Sequence, residues 1–295
     1  MITTRTEAVT AKIDAIPAIT ADNLSAGYPD KTVWRNANFK INRGEFVAVI
    51  GPNGAGKTTL FRLLLGLQQP LSGSIKIFNS RPRRGNSQIG YVPQRHTIDD
   101  DVKVECIELV QLAVSANRWG LTLFSNKEHK IALKTLQAVG TLELAHRSLG
   151  DLSGGELQRI FLAEALVSNP EVLLLDEPLS NLDIRRGRDL VQLIDSVVRK
   201  RNVTAFLVAH DINPLLPFLD NVIYIANGKV ATGKPKEVLT SECLSALYEI
   251  PIEVLHDSKG NIAIIGSGAD TDKEMDLLGS NRCTPCGDEE EERKK

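Results

Sequence analysis

Nine residues, GPNGAGKTT (51–59), combine three glycines with a lysine and two threonines. Glycines adopt backbone conformations that a Cβ forbids, so successive N–H groups of such a loop can turn inward around an anion. Lys57 adds a charge that can reach phosphate oxygens, and Thr58 adds a hydroxyl suited to Mg²⁺. The candidate phosphate-binding residues are Gly51, Pro52, Asn53, Gly54, Ala55, Gly56, Lys57, Thr58 and Thr59. The segment predicts a site for a nucleoside triphosphate.

The segments on either side of this loop have the periodicity needed to position it. EFVAVI (45–50) is an apolar run of strand type, and LFRLLLGL (60–67) has helical spacing. A helix that begins at the loop directs its unpaired N–H groups and its positive dipole end at the same anion. A strand, a Gly-rich turn and a helix in this order form the context of a phosphate-binding P-loop, and a turn that only connects the two elements is the alternative.

The composition is that of an ordinary globular protein and argues against several classes of function. The 295 residues are 42% hydrophobic and 24% charged, and the formal net charge of −2 gives no reason to expect nucleic acid as a partner. No apolar run approaches the roughly 18 residues of a spanning helix, and the first twenty residues lack the apolar core of a secretory signal. Four cysteines, two of them in the tail, do not form a disulfide framework. We therefore expect a cytoplasmic location.

Alternating strand and helix patterns predict an α/β fold. Apolar and polar residues alternate over 18–28 and 31–42, which predicts two antiparallel strands. From about 95 to 150, apolar residues follow helical spacing with no strand signal between them. We predict a P-loop NTPase core (18–94 and 151–250) with a parallel sheet covered on both faces, an antiparallel β subdomain and an all-helical insert.

The C-terminal residues divide into a structured and an unstructured part. IEVLHDSKGNIAIIG (252–266) predicts a β-hairpin, which would complete a single domain over 18–266. Residues 268–295 end in GDEEEERKK, which has little to bury and predicts a disordered acidic tail. Cys283 and Cys286 form one C-x-x-C pair in this tail, and without a second ligand pair they are weak candidates for a zinc site.

VLLLDEP (172–178) offers the metal anchor and the base that triphosphate hydrolysis requires. Four apolar residues predict a buried strand, and Asp176 leaves its carboxyl end, where ligands bind in open α/β sheets. Asp176 can hold Mg²⁺ through the water shell of the ion. Strand alternation predicts that Glu177 points away from Asp176, so that it can take a proton from an attacking water. An acidic strand end without a catalytic role is the alternative.

LSGGELQR (152–159) suggests a second anion site. Ser153 and two glycines precede an amphipathic helix, so the N-terminus of that helix is open to an anion. One triphosphate already has a place at 51–58, and a second phosphate-binding helix end is redundant unless it serves the nucleotide of another molecule. A plain helix cap is the alternative.

Six short motifs occur in an order that resembles the ATP-binding subunit of an ABC transporter. They are GPNGAGKTT, YVPQ, LSGGELQR, LLLDEP, SNLD and VAHD, and the resemblance covers about residues 18–250. In that family two such domains pair head to tail, with ATP between the P-loop of one and the LSGG signature of the other. The resemblance therefore implies that the chain pairs with a second nucleotide-binding subunit to form a homodimer. It also implies that the signature binds the ATP of that second subunit.

The resemblance also implies roles for individual residues. Tyr28 would stack on adenine, and Gln94 would sense the γ-phosphate and Mg²⁺. His210 would hold the γ-phosphate and polarise Glu177. The implied catalytic set consists of Glu177, His210, Gln94 and Lys57. The residues implied to contact the nucleotide across the dimer are Ser153, Gly154, Gly155 and Asp183.

Departures from the common family pattern are few. Glutamine is also common where this chain has Glu156, and arginine is frequent where it has Glu164. Neither residue belongs to the implied catalytic set, so ATP hydrolysis is expected. A non-catalytic nucleotide-binding module, one alternative, would need a damaged position at Glu177 or His210, and both are intact.

Two longer segments resemble importers of metal ions or metal chelates. They are residues 89–113 and 210–240, and they are most similar to the zinc and manganese group, with iron–siderophore importers next. The implied partners are an integral membrane permease and an extracytoplasmic solute-binding protein, with this chain peripheral at the cytoplasmic face of the membrane. A soluble, non-transport ABC ATPase is the other alternative, but the coiled-coil insertion, second nucleotide domain or basic face typical of that class is not visible.

Overall fold

The computed structural model of the protein describes residues 16–94, 103–115, 125–180, 182–258 and 260–266. The strands are β1 (Ile19–Tyr28), β2 (Lys31–Ile41), β3 (Phe46–Ile50), β4 (Ser72–Ile77), β5 (Ile89–Val92), β6 (Val172–Asp176), β7 (Thr204–Val208), β8 (Asn221–Ala226), β9 (Lys229–Gly233), β10 (Ile252–His256) and β11 (Ile262–Gly266). The α-helices are α1 (Lys57–Leu64), α2 (Cys106–Ser115), α3 (Asn126–Ala138), α4 (Gly154–Leu166), α5 (Ile184–Arg201), α6 (Pro235–Val238) and α7 (Ser241–Tyr248). The predicted tail with its two cysteines lies outside the described residues.

The central sheet has six strands in the order β5-β6-β7-β3-β8-β9. The first five run parallel, as predicted. The edge strand β9 pairs antiparallel with β8, which the prediction of a parallel sheet missed. Asn227 and Gly228 join these two strands with φ values of 48° and 74°. An Asn-Gly pair is a strong hairpin signal because both residues accept positive φ, so the antiparallel edge was readable from the sequence.

Alternate side chains of the buried strands face two layers of helices. On one face, Val47 and Val49 of β3 share an apolar cluster with Phe61 of α1. On the other face, Ala48 and Ile50 belong to the cluster that contains the buried residues of α4 and α5. Each fully buried large apolar side chain contributes about 1.5–3 kcal/mol relative to an exposed one. Two covered faces explain why these strands are apolar throughout.

The antiparallel β subdomain covers α1 from the outside. Its strands have the order β2-β1-β4, and β1 pairs with β2 from Ile19↔Ile41 to Tyr28↔Lys31. Trp34 of β2 is 1% exposed and belongs to the same cluster as α1. The helix after the P-loop is therefore held between two sheets, which restricts the movement of its N-terminus.

The insert is helical over its described residues, as predicted. It contains α2, α3 and two short 3₁₀ turns, and both helices pack against α4. Ser125 caps α3: its hydroxyl accepts from the N–H of Glu128, whose carboxylate accepts from the N–H of Ser125 at 2.9 Å. Such a reciprocal cap satisfies two N–H groups that a helix end leaves unpaired.

The predicted hairpin at the C-terminal end is confirmed as β10 and β11. The side chain of Asn213 fixes it to the core, since it accepts from the N–H of Ile262 at 2.7 Å and donates to the Ile262 carbonyl at 3.0 Å. In the part of the chain that the structure describes, no helix is both long enough and apolar enough to cross a bilayer.

Candidate nucleotide-binding site

The P-loop leaves the carboxyl end of β3 beside β8 and ends in α1. Gly51 has φ 148°, and a Cβ there would lie 2.0 Å from the carbonyl oxygen of Ile225. Gly56 has φ 103°, and a Cβ there would lie 2.4 Å from Cγ1 of Val33. Backbone and packed side chains therefore close in on the loop at two positions where only glycine fits. This confinement, together with the N-terminus of α1, forms a cradle suited to a polyphosphate.

Lys57 is folded back over this cradle. Its side chain is buried, and Nζ donates to the carbonyl oxygens of Gly51 at 2.7 Å and Pro52 at 3.1 Å. Because an ammonium group carries three donors, one remains for a phosphate oxygen. Burial lowers the pKa of Lys57, and the nearby carboxylates of Glu177 and Asp176 act in the opposite direction. Lys57 is therefore hydrogen-bonded to the P-loop and interacts electrostatically with both acidic residues.

Asp176 ends β6 and is 3% exposed. Its Oδ1 atom is buried and has no hydrogen-bond partner among the described residues. Burial raises the pKa of Asp176 to about 6, with a further upward contribution from the Glu177 carboxylate and a downward one from Lys57. A buried carboxylate oxygen without a partner is costly unless a cation occupies the space before it. The donor set of Asp176 and the Thr58 hydroxyl therefore fits Mg²⁺, which prefers hard oxygen ligands.

The raised pKa of Asp176 predicts a pH-dependent effect of the substitution Asp176→Asn on the nucleotide-free protein. The folded chain holds the Asp176 proton up to about pH 6, whereas an unfolded aspartate loses it near pH 4. Ionised Asp176 therefore destabilises the fold as the pH rises through this window. We expect the melting temperature of Asp176→Asn to exceed that of the wild type at pH 7.5 and to converge with it near pH 4.

Thermal unfolding across this pH range checks the prediction, with Asp30→Asn as the control because Asp30 is an exposed residue of the β1–β2 turn. The control should follow the wild type at every pH. A melting-temperature difference for Asp176→Asn that is the same at pH 4 and pH 7.5 would contradict the assigned environment of Asp176.

Three predicted catalytic residues meet at the carboxyl ends of three adjacent strands. Gln94 follows β5, Glu177 follows β6 and His210 follows β7. Oε2 of Glu177 accepts a hydrogen bond from Nε2 of Gln94 and lies 3.0 Å from Nε2 of His210. Parallel neighbours end at one edge of a sheet, which is why residues so far apart in sequence converge there. The carboxylate of Glu177 is held from two sides.

From the sequence, Glu177 is expected to continue the extended strand of Asp176, but the backbone is not extended at Glu177. β6 ends at Asp176, and Glu177 has φ 52°, in the left-handed region that residues other than glycine rarely adopt. The chain turns at this residue, so the alternation of an extended strand no longer applies. The two carboxylates remain close enough for Glu177 to raise the pKa of Asp176.

The signature lies in a different cleft of the chain. Ser153 caps α4 and shares a cleft of about 210 Å³ with Gly155, Arg159 and Arg186. Glu177, His210 and Asp183 line another cleft, of about 390 Å³. The Asp183 carboxylate accepts from the backbone N–H of Arg186 at 2.8 Å and so caps α5. Asp183 therefore lies beside the Glu177 cluster, whereas Ser153 and Gly155 line the neighbouring signature cleft, and Leu182 lines both.

Tyr28 lies at the end of β1, beside α1. Its ring is about half exposed, and its hydroxyl accepts from Nη1 of Arg62 at 2.9 Å. Stacking of this ring on adenine remains a prediction. The sequence interpretation missed Trp34, whose Nε1 donates to the Gly56 carbonyl at 3.4 Å and supports the P-loop from below. The predicted pairing of β1 with β2 could have indicated this role, because it places Trp34 opposite Ala26 on the buried face of the two strands.

The chain is similar to a known protein family and to several known proteins. The family model described as ABC transporter matches residues 34–180. The manganese transport system ATP-binding protein of Halalkalibacterium halodurans is 32% identical, over 79% of this chain and 92% of its own length. The zinc import ATP-binding protein of Rickettsia conorii is 34% identical, over 78% of this chain and 94% of its own length.

A solved structure points in the same direction. It is described as a metal-chelate type ABC transporter in an inward-facing conformation, is 26% identical, and aligns with a TM-score of 0.73 over 86% of this chain and 98% of that chain. The full set of motifs, the fold and the extent of these matches lead to one conclusion. The chain belongs to the ABC transporter family, as an ATP-binding subunit that hydrolyses ATP.

Proposed function

We propose that this chain powers an importer of metal ions, with manganese and zinc as the first candidates. The observation that carries the catalytic part is the Glu177 carboxylate, held between Gln94 and His210 at the edge of the sheet and near enough to Lys57 of α1 to act on its pKa. The manganese and zinc import relatives support the choice of substrate. The chain would work at the cytoplasmic face of the membrane, with a permease and an extracytoplasmic solute-binding protein as partners.

We assign the cis half of the site to residues of the P-loop and the strand ends. N–H groups of the loop and the Lys57 ammonium bind the β- and γ-phosphates. Thr58, Asp176 and Gln94 hold Mg²⁺, which when bound neutralises negative charge on the phosphate oxygens. Glu177 accepts the proton of the attacking water.

His210 orients the Glu177 carboxylate through their 3.0 Å contact and donates to the γ-phosphate. Tyr28, beside α1, offers a ring face to adenine.

The trans half comes from a second copy of the chain in a head-to-tail dimer. Ser153, Gly154 and Gly155 of that copy bind the γ-phosphate, and Asp183 approaches it across the seam. The position of the signature supports this division, because none of the described residues that line its cleft belongs to the P-loop of the same chain. ATP closes the dimer, and hydrolysis removes the contacts that bridge it. The helical insert transmits this movement to the permease.

Uptake of radiolabelled Mn²⁺ and Zn²⁺ by host cells tests the proposal. Cells whose only copy is Glu177→Gln should lose uptake of one of these ions, while cells with Glu171→Gln keep it, because Glu171 lies at the opposite end of β6. Tagged Glu177→Gln protein, solubilised from membranes with ATP, should retain an integral membrane protein. Normal uptake of both ions, or soluble partners alone, would contradict the proposal.

A metal-chelate importer is the second candidate. The solved metal-chelate type transporter supports it, since it aligns over almost its entire length. In that case the Glu177→Gln cells lose uptake of a ferric chelate and keep that of free Mn²⁺ and Zn²⁺.

A further inference from the structure

The signature already contains an anion of its own. Glu156 is the third residue of α4, and its Oε2 accepts from the hydroxyl of Ser153 at 2.7 Å and from the Ser153 N–H at 2.8 Å. The Glu156 N–H is directed in return at the Ser153 hydroxyl at 3.5 Å. These hydrogen bonds lower the pKa of Glu156, so it carries a full negative charge at neutral pH. The charge lies at the helix end that would receive the γ-phosphate.

The Ser153 hydroxyl cannot serve both anions at once. A hydroxyl carries a single donor hydrogen, and here the carboxylate of Glu156 receives it. A phosphate oxygen bound to Ser153 requires the same hydrogen. A phosphate and a carboxylate side by side would also repel each other. Glu156 must therefore release Ser153 before the nucleotide of a second copy can bind to the signature.

Nearby arginines provide another partner for the released carboxylate. Nη1 of Arg147 lies 3.6 Å from Oε1 of Glu156. Arg186 lies close to Gly155, with Cδ 3.4 Å from the position of a Cβ there, and its Nε is 3.3 Å from Oδ2 of Asp183. A small rotation of Glu156 towards Arg147 would exchange two hydrogen bonds for a closer ion pair, and it would leave Arg186 beside the incoming phosphate.

We propose that Glu156 takes the place of the γ-phosphate at the signature of the unpaired chain and thereby sets the ATP concentration at which two copies close. The inference rests on the proposed function, in which Ser153 binds the nucleotide of the second copy. Glu156 is a positioning residue here: it acts through Ser153 and takes no part in the reaction.

Glu156→Gln tests the proposal without removing the helix cap. A glutamine oxygen can accept the same bonds from Ser153, but a neutral acceptor holds a donor about half as strongly as a charged one. In the Glu177→Gln background we expect the ATP concentration for half-maximal dimer formation to fall about fivefold. Affinity for ADP, which has no γ-phosphate, should not change. Sedimentation velocity measures the dimer and calorimetry the ADP affinity.

The cap of α3 provides a matched control, because Ser125 and Glu128 repeat the same Ser-x-x-Glu spacing in the insert. Glu128→Gln should affect the melting temperature and leave the ATP requirement unchanged. An unchanged or higher ATP requirement in Glu156→Gln, or an equal decrease in Glu128→Gln, would overturn the proposal. If the Glu177→Gln parent forms no dimer with ATP, the proposed head-to-tail dimer fails first and the role of Glu156 fails with it.

Discussion

Glu177→Gln should reduce ATP hydrolysis by about 10²–10⁴-fold, the range for the loss of a positioned general base, and should still bind ATP. The substitution keeps the size of the side chain and an acceptor for Gln94, but it removes the group that takes the proton from water. The bound γ-phosphate then persists, so ATP should hold the variant as a dimer. Phosphate release, filter binding of labelled ATP and sedimentation velocity measure the three quantities.

Glu171→Gln is the matched control for this experiment, because Glu171 immediately precedes β6 and Glu177 immediately follows it. Glu171 pairs with Arg43 at 2.6 Å, with both side chains about 40% exposed, so its loss should cost no more than about 1 kcal/mol of unfolding free energy. Hydrolysis by this control should match the wild type. Full hydrolysis by Glu177→Gln would show that another group is the base.

The second large effect is expected from Gly51→Ala, which should distort the P-loop and destabilise the domain. A Cβ at Gly51 would meet the backbone carbonyl of Ile225 at 2.0 Å, in the interior strand β8, which cannot move aside. Overpacking of this kind typically costs about 1–3 kcal/mol and sometimes more. The left-handed φ of 148° adds a conformational penalty for alanine. We expect a large decrease in melting temperature and loss of ATP binding.

Gly54→Ala separates the steric effect from the conformational one. Gly54 also has a positive φ, 78°, but a Cβ there would meet no atom within 4 Å. In the absence of nucleotide this variant should lose only about 1 kcal/mol, the cost of a left-handed conformation for alanine. Thermal unfolding of both variants measures the difference. Equal melting temperatures would contradict the close approach of Ile225 to the P-loop.

Much of the site could be predicted from local pattern alone. The glycines, Lys57 and Thr58 stand between an apolar strand and a helical run, and each step of that prediction depends on neighbouring residues. The same holds for Asp176, since a buried strand ending in a carboxylate is a local signal. Both predictions concern contacts within a few residues of the chain, which periodicity describes well.

The meeting of Gln94, Glu177 and His210 is different in kind. It depends on β5, β6 and β7 being neighbours in that order, which no local pattern contains. The resemblance supplied the roles of these residues one at a time, and the sheet brings them together. Strand alternation also does not apply at Glu177, because β6 ends at Asp176 and Glu177 has a positive φ.

The proposed role of Glu156 could not be predicted from the local sequence pattern. Ser-x-x-Glu before an apolar run is an ordinary capping box, and the sequence interpretation noted Glu156 only as a variation on the family pattern. The side-chain conformation adds the decisive fact, namely that the carboxylate takes the hydroxyl hydrogen of Ser153 as well as its N–H. These hydrogen bonds, which the sequence does not contain, are the basis for the proposed competition between the cap and a γ-phosphate for Ser153.

Mixing two inactive variants tests whether each ATP lies between Glu177 of one copy and Ser153 of the other. Glu177→Gln and Ser153→Arg should each be inactive alone. In a mixed dimer one site carries both substitutions, and the other pairs an intact Glu177 with an intact Ser153. We expect hydrolysis to reappear when the two variants are mixed and to increase with the fraction of mixed dimer. A mixture as inactive as its components would contradict it.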